Sequence, residues 1–227
     1  MPEGVLFDFF GTLVEYSPSR SEQGYHDTHQ LVVGGGLAID YATFLNTWVE
    51  AAGLCDAWSQ ASGKEFAMYQ VGEKFAELAG WEAPDQLIDN IVDSYICEWS
   101  RGVSPIDGVR SLLESLAKRH RLGLITNTHY PPMVHRLLSQ IEIQHLFEVV
   151  ITSVEYGVPK PDTSIFDHSL ALMSLSTEQA VYVGDNYQAD YLGATRAGLR
   201  CILIGEHARV PRLDSIPSVL DLPGRLY

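Results

Sequence analysis

Basic residues are scarce: Lys and Arg total 15 against 29 Asp and Glu, a net charge of -14 over 227 residues. A chain with that balance repels a phosphate backbone and gains nothing from counterion release, so nucleic acid is excluded as an expected partner. A small phosphorylated substrate stays open, because a bound cation reverses the sign of a local site. Cysteine is sparse too. Cys55, Cys97 and Cys201 are odd in number, far apart and without the paired spacing of a zinc site, so three buried reduced thiols are expected. No apolar run approaches membrane-spanning length, and Met1-Pro2-Glu3-Gly4 enters a short apolar segment without a basic start. The expectation is a cytoplasmic protein with no membrane partner. Internal repeats and low-complexity tracts are missing as well.

What is present is enough apolar residue, 46% of the chain, to fill one large core or two small ones. Residues Val5 to Phe9, VLFDF, form an apolar run broken only by Asp8, which suits a strand buried on both faces. From about residue 15 to 101 the pattern is helical, with no convincing strand. Ile88, Ile91, Val92, Tyr95, Ile96 and Trp99 recur at three and four behind a Pro84 suited to a first turn. Helices are also predicted from Asp40 to Ala52 and from about Lys64 to Leu78, the latter stopped by Gly80. The Gly34-Gly35-Gly36 triplet has no strand before it and reads as a turn.

Past Pro105 and Gly108, apolar runs alternate with amphipathic segments such as Val109 to Arg119 and Ser164 to Met173. The runs are Leu122 to Ile125, Phe147 to Ile151, Ala180 to Val183 and Cys201 to Ile204. Alternation of this kind implies right-handed crossovers and a doubly wound parallel α/β sheet. The expected division is a core of 1–14 and 102–227 interrupted by a helical module of 15–101.

Ligands of such sheets bind beyond the carboxyl ends of the strands. Asp8 ends the first run, Thr126 directly follows the second, Lys160 lies in the loop after the third, and Asp185 follows the fourth. Singly, each has a plain structural reading: a cap for Asp8 or Thr126, a solvated charge for Lys160, a turn for Asp185. Together they are harder to dismiss. Asp8, Asp185 and Asp190 bring up to three negative charges near one lysine, and a hard divalent cation such as magnesium relieves that crowding.

These residues resemble the signatures of the haloacid dehalogenase (HAD) superfamily of hydrolases, in order and along the whole chain. The signatures stand as Asp8-Phe9-Phe10-Gly11-Thr12-Leu13, Thr126-Asn127 in LITN, Lys160 in GVPKPD, and VGDNYQAD with Asp185 and Asp190. The resemblance implies a Rossmann-like core with residues 15–101 as an α-helical cap. It implies Asp8 as nucleophile, Thr126 and Lys160 holding the transferring group, and magnesium held by Asp8, the Phe10 carbonyl and Asp185. Asp190 and Asn186 would support the site from behind. Phe9, Phe10, Thr12, Asn127, Arg20 and His129 are the expected substrate contacts, in a monomer or homodimer.

One position departs from the family pattern. Phosphatases of this family usually carry a second Asp two residues after the nucleophile, and here Phe10 stands there. A phenyl ring moves no proton, so acid-base assistance of roughly a hundredfold to ten-thousandfold must come from elsewhere. His129 is the best single candidate; Tyr16, Tyr130 and the pair His26 and His29 are others, the pair reading more simply as surface histidines. Related 2-haloacid dehalogenases have an aromatic residue at this position but work without metal and tend to have Ser-Asn where this chain has Asp185-Asn186. Three readings follow: a magnesium-dependent phosphatase-like enzyme acting on a small phosphorylated metabolite, a 2-haloacid dehalogenase-like hydrolase, and a catalytically weak binding or regulatory protein.

Overall fold

The computed structural model describes residues 1–16, 24–205 and 214–226. The chain divides into two compact units, one of residues 1–16 with 104–227 and one of residues 17–103. The first is built on a six-stranded sheet. Its strands are β1 (Gly4–Phe7), β4 (Arg121–Thr126), β5 (Phe147–Thr152), β6 (Ala180–Gly184), β7 (Arg200–Ile204) and β8 (Ser215–Ile216), in the order β5-β4-β1-β6-β7-β8. Every pairing is parallel. All four residues of β1 are buried, as the uninterrupted apolar run requires.

β1 lies between β4 and β6, with Phe7 level with Leu124 on one side and Val183 on the other. The chain therefore winds outward in both directions from β1, and the crevice beyond its carboxyl end is the switch point where ligands bind in such sheets. Helices α5 (Val109–Leu116), α6 (Pro131–Gln140), α7 (Ser153–Tyr156), α8 (Thr163–Leu172) and α9 (Gly193–Arg196) form the crossovers. Ile165, Phe166 and Leu170 of α8 pack with Leu6, Ile125, Tyr182 and Cys201 of the sheet. Against expectation, Val14–Tyr16 forms a short strand, β2, which pairs with β3 (Val103–Pro105) in a separate ribbon. Three residues are too few for a periodicity to register.

The second unit consists of α1 (His26–Gly34), α2 (Tyr41–Ser62), α3 (Met68–Leu78) and α4 (Asp85–Ser100). Its core is aromatic, with Tyr95 stacked between Tyr25 at 4.4 Å and Trp48 at 4.5 Å, and Phe75 against both Phe44 and Trp48. Helix α2 overruns the expected end at Ala52 by ten residues and stops at Gly63, whose φ of 70° suits a left-handed cap. α3 begins at Met68 rather than Lys64. α1 was not foreseen, because its amphipathic pattern is weak and its N-terminus carries no side-chain cap of its own. The cap comes instead from α4: the buried Glu98 carboxylate accepts from the backbone N–H groups of Asp27 and Thr28, both at 3.0 Å, and from the Thr28 hydroxyl at 2.6 Å.

The three cysteines are unpaired, and the expected burial fails for Cys97, which is exposed on α4. The His26 and His29 rings both lie against Tyr41, and His29 Nε2 bonds to the Ile39 carbonyl at 2.8 Å. No described helix is long and apolar enough to cross a membrane.

Candidate active site

Asp8 continues β1 by one residue, its N–H donating to the Val183 carbonyl at 2.8 Å. Lys160 reaches it from the loop between α7 and α8. The ammonium, 4% exposed, donates to Asp8 Oδ1 at 2.7 Å, to Asp190 Oδ1 at 2.7 Å and to the Tyr182 hydroxyl at 2.8 Å. An ammonium has three protons, and all three are thereby used. The lysine backbone is held as firmly: Asn127 Oδ1 accepts from Lys160 N and Asn127 Nδ2 donates to Lys160 O, both at 2.9 Å. Asn127, expected to touch substrate, thus spends both ends of its amide on the loop that carries the lysine.

Asp185 and Asp190 arrive from the other side, after β6. Oxygen atoms of Asp8, Asp185 and Asp190 lie within 4.8 Å of one another. Two glycines admit them. A Cβ on Gly11, which has φ +81°, would meet Asp185 Oδ2 at 2.2 Å, and one on Gly184 would meet Asp190 Cγ at 2.4 Å. Asp190 sits in a single π-type turn, Tyr187–Leu192, a kind of irregularity frequent at functional sites. Asn186 starts that turn, its side chain accepting from the N–H groups of Gln188 and Ala189 while its own N–H donates to Asp190 Oδ2 at 2.8 Å.

Burial and crowding dominate the electrostatics. Burial above all, opposed by Lys160 and reinforced by Asp190 and Asp185, leaves the Asp8 carboxyl raised to about 7. Asp185 is raised by the same causes, burial first and then Asp190. For Lys160, burial alone would lower the value, but Asp190 and Asp8 outweigh it and the ammonium is held charged. One positive charge thus faces three carboxylates, two of which are left short of compensation.

The remaining expected site residues fall as follows. Thr126 ends β4, fully buried, and its hydroxyl has no hydrogen-bond partner among the described residues; the same holds for Thr12. The Phe9 ring is fully buried in the core, which leaves only its backbone for a ligand. Phe10 is half-buried, edge-on to both Phe9 and Tyr16. His129 lies in the loop between β4 and α6, at the carboxyl edge of the sheet. That loop is fastened by Ser153, whose hydroxyl accepts from Thr128 N at 3.0 Å. Arg20 lies outside the described residues. Tyr182 is the residue that the sequence reading missed. Its signal was a phenol in a strand otherwise free of polar side chains.

Comparison with known proteins places the chain in a family and a fold. The family model described as haloacid dehalogenase-like hydrolase matches residues 41–204. A glyceraldehyde 3-phosphate phosphatase from Methanothermobacter thermautotrophicus is 34% identical over 106 residues, covering 47% of this chain and 46% of that protein. Human haloacid dehalogenase-like hydrolase domain-containing protein 3 is 33% identical over 133 residues, covering 57% and 51%. The chain spans about half the length of the curated relatives it matches. Among solved structures, a 2-haloacid dehalogenase from Pseudomonas syringae pv. Tomato superposes with a TM-score of 0.77 at 22% identity, covering 100% of this chain and 98% of the other. A HAD-hydrolase from Bacillus subtilis bound to magnesium superposes with a TM-score of 0.69 at 20% identity, covering 99% and 98%. These two share the fold. With a family model matched over more than half of its residues, the chain belongs to the haloacid dehalogenase-like hydrolase family.

Proposed function

We propose that this protein is a magnesium-dependent hydrolase of a small phosphorylated metabolite, with Asp8 as nucleophile, residues 15–101 as a cap domain, and 1–14 with 102–227 as the catalytic core. The observation that carries the reading is the clustering of Asp8, Asp185 and Asp190 oxygens within 4.8 Å of one another, with one buried ammonium bonded to Asp8 and Asp190. Hard oxygen donors with uncompensated charge suit magnesium. Asp8 and Asp185 would be its side-chain ligands, with the Phe10 carbonyl as a further one. Asp190 supports from behind, since its oxygens already serve Lys160, Tyr182 and Asn186. When bound, the metal supplies positive charge beside the transferring group, where electrostatic stabilisation counts most.

The protein's own residues do the rest. Lys160 anchors Asp8 by Oδ1 and so orients the second oxygen for attack. That oxygen forms the bond to phosphorus as the ester oxygen departs with the bonding pair, and water later hydrolyses the aspartyl phosphate. The Thr126 hydroxyl, buried and without a partner among the described residues, is the donor for an oxygen of the bound group. Phe10 offers the leaving oxygen no proton, so turnover is slow for poor leaving groups. Phosphatase relatives and a magnesium-bound structural neighbour support the reading. The test is metal binding and turnover: the purified protein should bind magnesium, lose it on Asp185→Asn, and gain hydrolysis across a phosphate-ester panel on Phe10→Asp.

Phe10 itself favours a second reading, a 2-haloacid dehalogenase-like enzyme whose halide leaving group needs no proton; the Pseudomonas syringae neighbour bears that name. Halide release from a 2-haloacid in the presence of EDTA, without phosphate release from any ester, would replace the first reading with this one.

A further inference from the structure

We propose that Tyr182 is a positioning residue for Lys160: its hydroxyl takes the ammonium proton that the two carboxylates leave over, donates its own to Asp190, and so fixes the charge against Asp8. The inference rests on Asp8 being the nucleophile and adds a group that holds its counter-charge in place.

Strand β6, AVYVG, is buried along its whole length. A phenylalanine would fill the Tyr182 site as well, since the ring packs edge-on against Phe166 at 5.1 Å within the core. A hydroxyl buried there is unfavourable unless it is hydrogen-bonded. It is bonded three ways: to Lys160 Nζ at 2.8 Å, to Asp190 Oδ1 at 2.9 Å and to the Ile125 carbonyl at 3.2 Å.

Proton counting assigns the directions. Lys160 only donates, so the hydroxyl accepts from it. The single phenolic proton then has two acceptors in reach, and the carboxylate is both nearer and charged. With only the bonds to Asp8 and Asp190, the third N–H would be buried and unpaired, and the ammonium would gain by turning off one carboxylate toward another acceptor. The third bond removes that incentive. Tyr182 therefore acts through Lys160 rather than on a substrate.

The test reads the ammonium directly. Protein labelled with 15N-lysine should show one ammonium signal protected from solvent exchange, identified by its loss in Lys160→Met. In Tyr182→Phe that signal should broaden into exchange while the thermal unfolding curve stays cooperative. On the best substrate of the ester or haloacid panel, kcat should fall roughly 10- to 100-fold with KM held within about twofold, as expected for one buried charged donor left unpaired. A protected signal and unchanged kcat in Tyr182→Phe would overturn the proposal. If Tyr182→Phe does not fold, the double variant with Lys160→Met decides: a folded double variant shows that the hydroxyl matters only through the lysine, and a second failure assigns Tyr182 to packing and sinks the idea. A wild type that turns over neither substrate class refutes the proposed function while leaving the ammonium signal to judge Tyr182.

Discussion

Raising the pH should tighten magnesium binding, and the sign and size follow from Asp8. Burial, with Asp190 and Asp185 close by, pushes its carboxyl up to about 7 in the metal-free protein, against an ordinary 3.8. About half of the molecules then carry a proton on Asp8 near pH 7, about nine tenths near pH 6 and about one tenth near pH 8. On the proposed function magnesium would take the carboxylate, so each ion binding a protonated site would displace that proton. The apparent affinity should drop about tenfold per pH unit below about 7 and level off above about 8, with Asp185, also raised, steepening the acid limb. Stability of the metal-free protein moves the other way. A folded value above the unfolded one means that the native state holds a proton which the unfolded chain has released between about 4 and 7, so stability is lost as pH rises through that window. The full rise corresponds to about 4 kcal/mol. The assay is titration calorimetry with magnesium from about pH 5.5 to 8.5 in two buffers of different ionisation heat, with denaturant melts in EDTA alongside. Affinity that is flat with pH, with no proton released, would refute the charge accounting; so would an Asp8→Asn variant whose metal-free melts keep the wild-type pH slope.

Two further substitutions test the scaffold. Gly11→Ala forces an L-residue to φ +81° with its Cβ 2.2 Å from Asp185 Oδ2, so it should cost about 1–3 kcal/mol in denaturant melts and displace Asp185 enough to weaken magnesium binding by calorimetry. Glu98→Gln turns an acceptor of three hydrogen bonds into a group whose amide protons face other donors; a loss of about 1–3 kcal/mol is expected, read as a lower unfolding midpoint of the helical unit with magnesium affinity unchanged.

Much of the fold was legible because strands buried on both faces leave one kind of trace. The runs at Val5, Leu122, Phe147, Ala180 and Cys201 each begin within one residue of an observed strand. The polar residues at their ends were legible for the same reason, since a charge closing an apolar run has few structural uses. Interactions made across the chain were not. Glu98 occupies the stripe of Ile91 and Tyr95 but reads as its polar edge, and only the arrival of α1 seventy residues away in sequence gives it partners. Asn127 lies beside Thr126, where substrate contact was the natural expectation, and nothing local announces that its amide closes on the backbone of Lys160.

That misplacement changes how the work of the site is divided. The family pattern has Thr126 and Lys160 together holding the transferring group. Here the three ammonium protons are committed to Asp8, Asp190 and Tyr182, and the loop beneath is fixed by Asn127. Any approach of Lys160 to a ligand must break a charge-assisted bond inside the protein, whereas the Thr126 hydroxyl breaks none. Energetically, then, Lys160 is the counter-charge that holds a buried Asp8 below the value burial alone would impose, and on the proposed function contact with the bound group would fall to Thr126 and to a cation held by Asp8 and Asp185.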